Sequence, residues 1–155
     1  MMTTKQRKAK NAYERERRRL HRIHAFENAA RAKGFVYVGG VDEVGRGPLA
    51  GPVVAACVVA AELLLFRRLN DSNQVPPPLR VELAEKIKTA CSAWGIGVAS
   101  VEEIDRLNIY WASVLAMERA IAALSVAPQY LITDAVRIRS FSGRRFEHQL
   151  WAYPR

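Results

Sequence analysis

Apolar positions recur at spacings of three, four or seven along the first thirty residues. Tyr13, Leu20, Ile23, Phe26 and Ala30 form one narrow stripe in a background of Arg, Lys, Glu and Ala. This period predicts a helix over 3–33, stopped at Gly34. The pattern then changes. Residues 35–41 and 52–61 are apolar runs that predict two buried strands. Leu69-Asn70-Asp71-Ser72 and the prolines at 76–78 predict a surface loop. Residues 79–94 return to a helical period, with Leu83, Ile87, Cys91 and Trp94 on one face, and 95–99 predicts a third short strand. Ser100 and Glu103 have capping-box spacing, which starts a helix at Val101. That helix continues over 108–124 with Tyr110, Val114, Met117, Ile121 and Leu124 along one side, and Pro128 breaks it. Residues 130–133 predict a fourth strand, ending at Asp134. From Arg137 onward no period emerges. The order strand, strand, helix, strand, helix, strand predicts an α/β fold with a mixed sheet covered by helices. Trp94, Trp111 and the tyrosines follow these faces and are expected in the core.

The chain has 155 residues, enough for one domain, and half of them are apolar. Charge sharpens the picture through its distribution. Residues 1–33 carry a net +8, residues 137–155 a net +4 and the intervening body a net −3, within a total of +9. A basic arm flanking a mildly acidic body suits a polyanion, and equally a solvated tail. Cys57 and Cys91 sit in apolar segments without a CxxC partner, so both are expected to be buried free thiols in a reducing compartment. No apolar stretch follows the basic N-terminus as a signal peptide would require, and 53–66 is too short to span a bilayer. A soluble, cytoplasmic protein with no membrane partner is expected.

The candidate chemistry lies in 39–52, Gly-Gly-Val-Asp-Glu-Val-Gly-Arg-Gly-Pro-Leu-Ala-Gly-Pro. Asp42 and Glu43 follow the first predicted strand and Asp134 follows the fourth. If those strands are neighbours, the three acids converge at one edge of the sheet. Close carboxylates repel unless a cation sits among them, and oxygen donors suit a hard divalent ion. Gly45, Arg46 and Gly47 offer main-chain amides and a guanidinium fork to a phosphate backbone; a tight turn also uses glycine. Asn70, Asp71 and Ser72 are loop formers that suit an Asx-turn. His21 and His24, three apart, read as a solvated helix face. There is no nucleophilic serine elbow, P-loop, zinc spacing or dinucleotide fingerprint.

These residues resemble a known family. The segment 40–54 is similar to the first signature of the bacterial type 2 ribonucleases H, ribonuclease HII. Leu69 to Ser72 looks like that family's Leu-Asn-Asp-Ser loop. Residues 95–108 and the helix after them resemble its following motifs, and Asp134 ends a strand where the family has an aspartate. The resemblance runs from about Phe35 to Arg139. It implies an RNase H-like mixed sheet with helices on both faces. It also implies endonucleolytic hydrolysis of RNA in RNA–DNA hybrids, and cutting 5′ to ribonucleotides embedded in duplex DNA. Two-metal-ion catalysis with Mn²⁺ or Mg²⁺ held by four carboxylates is implied, with Asp42, Glu43 and Asp134 as catalytic metal ligands. Gly45, Arg46 and Gly47 would read the 2′-hydroxyl, and Asn70, Asp71 and Ser72 would help to bind the substrate. The protein would act as a monomer.

The chain departs from that pattern in three places. Asn73 stands where the family has lysine, and Ala135 where it has glycine. After Arg139 the expected fifth strand, fourth carboxylate and tyrosine do not appear; residues 140–155 hold one acid, Glu147. The expected organisation is therefore a basic helical arm over 1–33, an RNase H-like domain over 34–139 that is incomplete at its C-terminal side, and an unrelated tail over 140–155. An impaired nuclease and a catalytically inactive nucleic-acid-binding remnant both follow from that organisation.

Overall fold

The computed structural model describes residues 3–47, 51–133 and 138. The basic arm forms two helices, α1 (Thr4–Ile23) and α2 (Ala25–Ala32), where one was expected. Thr3 and Gln6 close a capping box at the start of α1. The break falls at His24, which is 7% exposed. Its Nδ1 lies 3.0 Å from Glu27 Oε1 and its Nε2 lies 3.2 Å from the Leu64 carbonyl. His24 is therefore a buried joint, which corrects the expectation of a solvated histidine. Gly34, at φ +90°, ends the arm.

Strand β1 (Val38–Val44) starts three residues later than expected. The cause is remote in sequence: Gln129 Oε1 accepts the backbone N–H groups of Val36 and Tyr37, at 2.7 and 3.1 Å, before the ladder begins. At its other end the ladder with the next strand runs on to Val44, so Asp42 and Glu43 lie inside β1 and not after it. Strand β2 (Val53–Ala60) follows, then a single 3-10 turn over Ser72–Gln74. Helix α3 (Pro77–Ala90) begins on two prolines, which are tolerated in a first turn because their missing N–H has no helical partner there. It ends at Ala90, since Ser92 N–H already donates to the Val59 carbonyl at 2.8 Å. Trp94 thus belongs to strand β3 (Ala93–Ala99), not to the helix face expected of it. Helix α4 (Val101–Ala122) and strand β4 (Tyr130–Thr133) complete the described elements.

The four strands form one mixed sheet in the order β3-β2-β1-β4, antiparallel except for the parallel pair β1 and β4. One face carries the main core, where Val41, Val53, Ala55, Cys57 and Leu131 meet Ala112, Ala116 and Met117 of α4. The approach is close because β3 presents glycine to the helix. A Cβ on Gly97 would lie 2.0 Å from the Ala116 carbonyl oxygen, and one on Gly95 2.3 Å from that of Ala120. Burial pushes the Cys57 thiol up to about 12, so it packs as an inert apolar group. Cys91 is only half-buried, which corrects the second cysteine expectation.

The opposite face holds a smaller cluster of Val38, Tyr130 and Ala30 of α2. Trp94, Ile96 and Val98 project on the side of β3 away from α4, each more than two-fifths exposed. Of the described tyrosines only Tyr130 is buried, and Trp111 is exposed, so the expected aromatic core is not formed. No helix among the described residues is long and apolar enough to cross a membrane.

Candidate active site

The site grows from the end of β1. Asp42 pairs in register with Ala56 and Glu43 with Ala55. Successive residues of a strand point to opposite faces, so the two carboxylates leave the sheet on opposite sides. Asp42 is exposed, and its Oδ1 accepts the Glu43 backbone N–H at 2.8 Å. The Glu43 side chain is only 8% exposed, on the face that carries α4. It is held there by Arg46, whose Nη1 donates to Glu43 Oε1 at 2.9 Å. The arginine in the glycine turn therefore has a local partner, and its guanidinium remains half-exposed.

The turn itself explains one of its glycines. Gly45 has φ +103°, and a Cβ there would meet the Pro52 carbonyl oxygen at 2.5 Å. Only glycine closes this neck between β1 and β2. Around Gly47 no described atom lies within 4 Å of where a Cβ would stand, and the same holds at Gly51, so these two glycines of the turn leave room for a ligand. Residues 48–50 lie outside the described residues.

Strand β4 reaches the same place from its other side. In the parallel ladder Val41 pairs with Thr133, and both are buried. Asp134 lies outside the described residues. The Asn70-Asp71-Ser72 loop forms the Asx-type turn its composition suggests: Asp71 Oδ1 accepts the Asn73 N–H at 2.8 Å, and the Asn70 amide donates to Gln74 Oε1 at 2.8 Å.

One wall of this site has no counterpart among the residues expected from the sequence. Registers Val44↔Val54 and Val53↔Ala99 bring the start of α4 to the same end of the sheet as Asp42. The Ser100 and Glu103 capping box is formed there. Glu103 also receives both Nη groups of Arg119 at 2.7 Å, and this fork with the Ser100 N–H holds its carboxyl down to about 2. Asn108 then kinks α4 at φ +67°, ψ 165°, and its Oδ1 caps the N–H groups of Tyr110 and Trp111 at 3.0 and 3.2 Å. The capping-box spacing was a visible signal for the helix start; nothing in the sequence signalled the fork or the kink.

Carboxylate oxygens suit Mg²⁺ and Mn²⁺. Asp42 fits such an ion, being exposed at the sheet end. Glu43 fits less directly, because it faces the other way and is already paired with Arg46. Among the described residues no group of three or more His, Cys, Asp or Glu gathers.

The profile of the Ribonuclease HII family matches residues 39–150, which includes the acidic pair, the glycine turn, the loop at 70–72 and Asp134, and reaches past Arg139. Ribonuclease HII of Moorella thermoacetica is 48% identical over 123 residues, covering 79% of this chain and 60% of that protein. The chain thus spans less than two-thirds of that relative's length. The crystal structure of ribonuclease H2 from Pyrococcus horikoshii shares the fold, with a TM-score of 0.63 at 24% identity over 75% of this chain and 63% of that one. Bst-RNase HIII in complex with Mn²⁺ superposes with a TM-score of 0.52 at 19% identity, over 76% of this chain and 46% of that one. The family profile covers more than half of the chain, and the described sheet, which ends at Thr133, has the matching fold: this chain belongs to the ribonuclease HII family.

Proposed function

We propose that this chain is an endonuclease acting on the RNA strand of RNA–DNA hybrids, cutting 5′ to ribonucleotides embedded in duplex DNA with the help of Mn²⁺ or Mg²⁺. The observation that carries the reading is the parallel register of Val41 with Thr133. Asp42 is the next residue after the first and Asp134 the next after the second, and consecutive Cα atoms are about 3.8 Å apart. Two acids one step beyond a paired position are suited to share a cation. When bound, two such ions supply an acidified water and charge compensation at the leaving 3′-oxygen. The chain's own residues do the positioning. Asp42 and Asp134 supply oxygens to the metal. Glu43 joins them if Arg46 exchanges its carboxylate for a substrate phosphate. Gly47 offers space for a sugar hydroxyl against the backbone, and Asn70, Asp71 and Ser72 are assigned to substrate binding.

A second reading has its own support. Asp42 and Glu43 lie on opposite faces, and Glu43 is occupied by Arg46. That arrangement favours an inactive nucleic-acid binder. One assay separates the two. The full chain is incubated with Mn²⁺ and a duplex carrying a single ribonucleotide. Cleavage on the 5′ side, abolished by Asp42→Asn, is the expected result. Binding without any turnover, unchanged by Asp42→Asn, would overturn the nuclease reading.

A further inference from the structure

Helix α1 is fastened to the body by one face and presents a different chemistry on the other. On the fastened side, Glu16 receives Arg19 through two hydrogen bonds of 2.9 Å and the Arg68 backbone N–H at 2.8 Å. Arg19 also donates to the Leu69 carbonyl at 2.8 Å. The joint at His24 holds the Leu64 carbonyl. Beyond it, Arg31 donates to the carbonyls of Ala60, at 2.8 Å, and of Ala61 and Val36. Arm and body are thus tied along 60–69, and the last tie is one residue before Asn70.

On the outward side stand Arg7, Lys8, Arg15, Arg18 and Arg22, all exposed. At 3.6 residues per turn they fall within roughly a 100° arc and extend over about 22 Å. Among the described residues the acid beside them is Glu14, 3.8 Å from Arg18 and 4.0 Å from Lys10. The first turn contains no acid, so its bases oppose the helix dipole, and like charges three and four apart repel along the ridge. A row of cations held against that repulsion, on a helix whose other face is latched down, is complementary to a row of anions. Duplex nucleic acid offers about one phosphate per 1.7 Å of axis, and guanidinium forks match phosphate oxygens.

We propose that the outward face of α1 is a phosphate-binding ridge for duplex nucleic acid, on a helix held to the body through Arg19 and the Leu69 carbonyl. The ridge precedes residue 39, where the family match begins. It rests on the nucleic-acid reading above for its class of ligand, and binding, not turnover, tests it.

The experiment measures binding of the full chain to an all-DNA duplex of about 20 base pairs across a NaCl series, for the parent and for Arg15→Gln/Arg18→Gln/Arg22→Gln. The plot of log Kobs against log[NaCl] is expected to flatten by about 2.7, at about 0.9 for each phosphate no longer neutralised. The variant Arg15→Lys/Arg18→Lys/Arg22→Lys keeps the charge and is expected to keep the parent slope, with unchanged far-UV circular dichroism in both variants. An unchanged slope in the glutamine variant overturns the proposal. So does an equal flattening in the lysine variant, or an effect confined to phosphatidylserine vesicles with duplex binding intact. A flattened slope in a chain that never cleaves defeats the nuclease reading and leaves the ridge standing. Cleavage with an unchanged slope does the reverse.

Discussion

Glu43 and Arg46 meet three residues apart at the end of β1, with the carboxylate nearly buried and the guanidinium half in solvent. The pair fixes Arg46 against the sheet while leaving part of its fork available. Arg46→Ala strands a carboxylate in a poorly hydrated place and is expected to cost about 1 kcal/mol, allowing for the exposure of the arginine. Glu43→Gln in the same chain should recover part of that loss. Urea unfolding of the two single variants and the double variant checks this, and a coupling energy of zero would contradict it.

At Asn108 a residue other than glycine occupies a region that only glycine enters easily, and its side chain caps the two N–H groups beyond the kink. Asn108→Ala keeps the strain and loses the cap, at a cost of about 2 kcal/mol. Asn108→Gly relieves the strain and loses the cap, so it falls between alanine and the parent. Asn108→Asp keeps an acceptor and stays close to the parent. Thermal unfolding midpoints in that order are the expected outcome.

Two glycines of the sheet should behave oppositely. Gly97→Ala drives a methyl group into the backbone of α4, 2.0 Å from the Ala116 oxygen, and should cost about 3 kcal/mol or prevent folding. Gly40→Ala meets nothing within 4 Å and should change stability by less than about 0.5 kcal/mol. Equal effects in chemical denaturation would show that α4 does not sit where the structure has it.

Arg19, and then the Arg68 backbone N–H, hold the Glu16 carboxyl down from 4.5 to about 2. A carboxyl depressed on folding contributes stability that is fully present above its unfolded value and is lost as pH falls through its folded one. The part of the tie made by the Glu16 carboxylate is therefore fully present above about pH 4.5 and is lost as pH falls towards 2, while the Arg19 bond to the Leu69 carbonyl does not depend on it. Glu16→Gln should remove part of the fall in melting temperature between about pH 5 and about pH 2.5. An identical fall in both proteins would exclude this latch as an acid-sensitive contact.

Much of the architecture was legible because local pattern and tertiary structure agree. The Val and Ala run at 53–60, the capping box at Ser100 and Glu103 and the short run at 130–133 all became the elements their periodicity predicted. Two of the departures share a cause. Gln129 delays β1 and Leu64 holds His24, and both partners are distant in sequence, where periodicity carries no information. Trp94 departs from expectation for a local reason: an apolar residue at helical spacing also fits a strand that follows directly. At the site, the acidic pair and the glycine turn were readable as chemistry. The direction of each carboxylate was not, because it depends on whether β1 ends before or after Asp42.

The ladder between β1 and β4 joins Val38 to Tyr130, a separation of roughly ninety residues. The other two pairings link strands closer in sequence, through the turn after β1 and through α3. Closing the longest loop costs the most chain entropy, and pairings of this kind form slowly. Strand β4 is accordingly expected to arrive late in folding, after the antiparallel unit of β1, β2 and β3 has packed on α4. The candidate site at the β1–β4 edge should then be completed after its scaffold, and hydrogen exchange at Tyr130–Thr133 should be the first in the sheet to escape protection when the native state breathes.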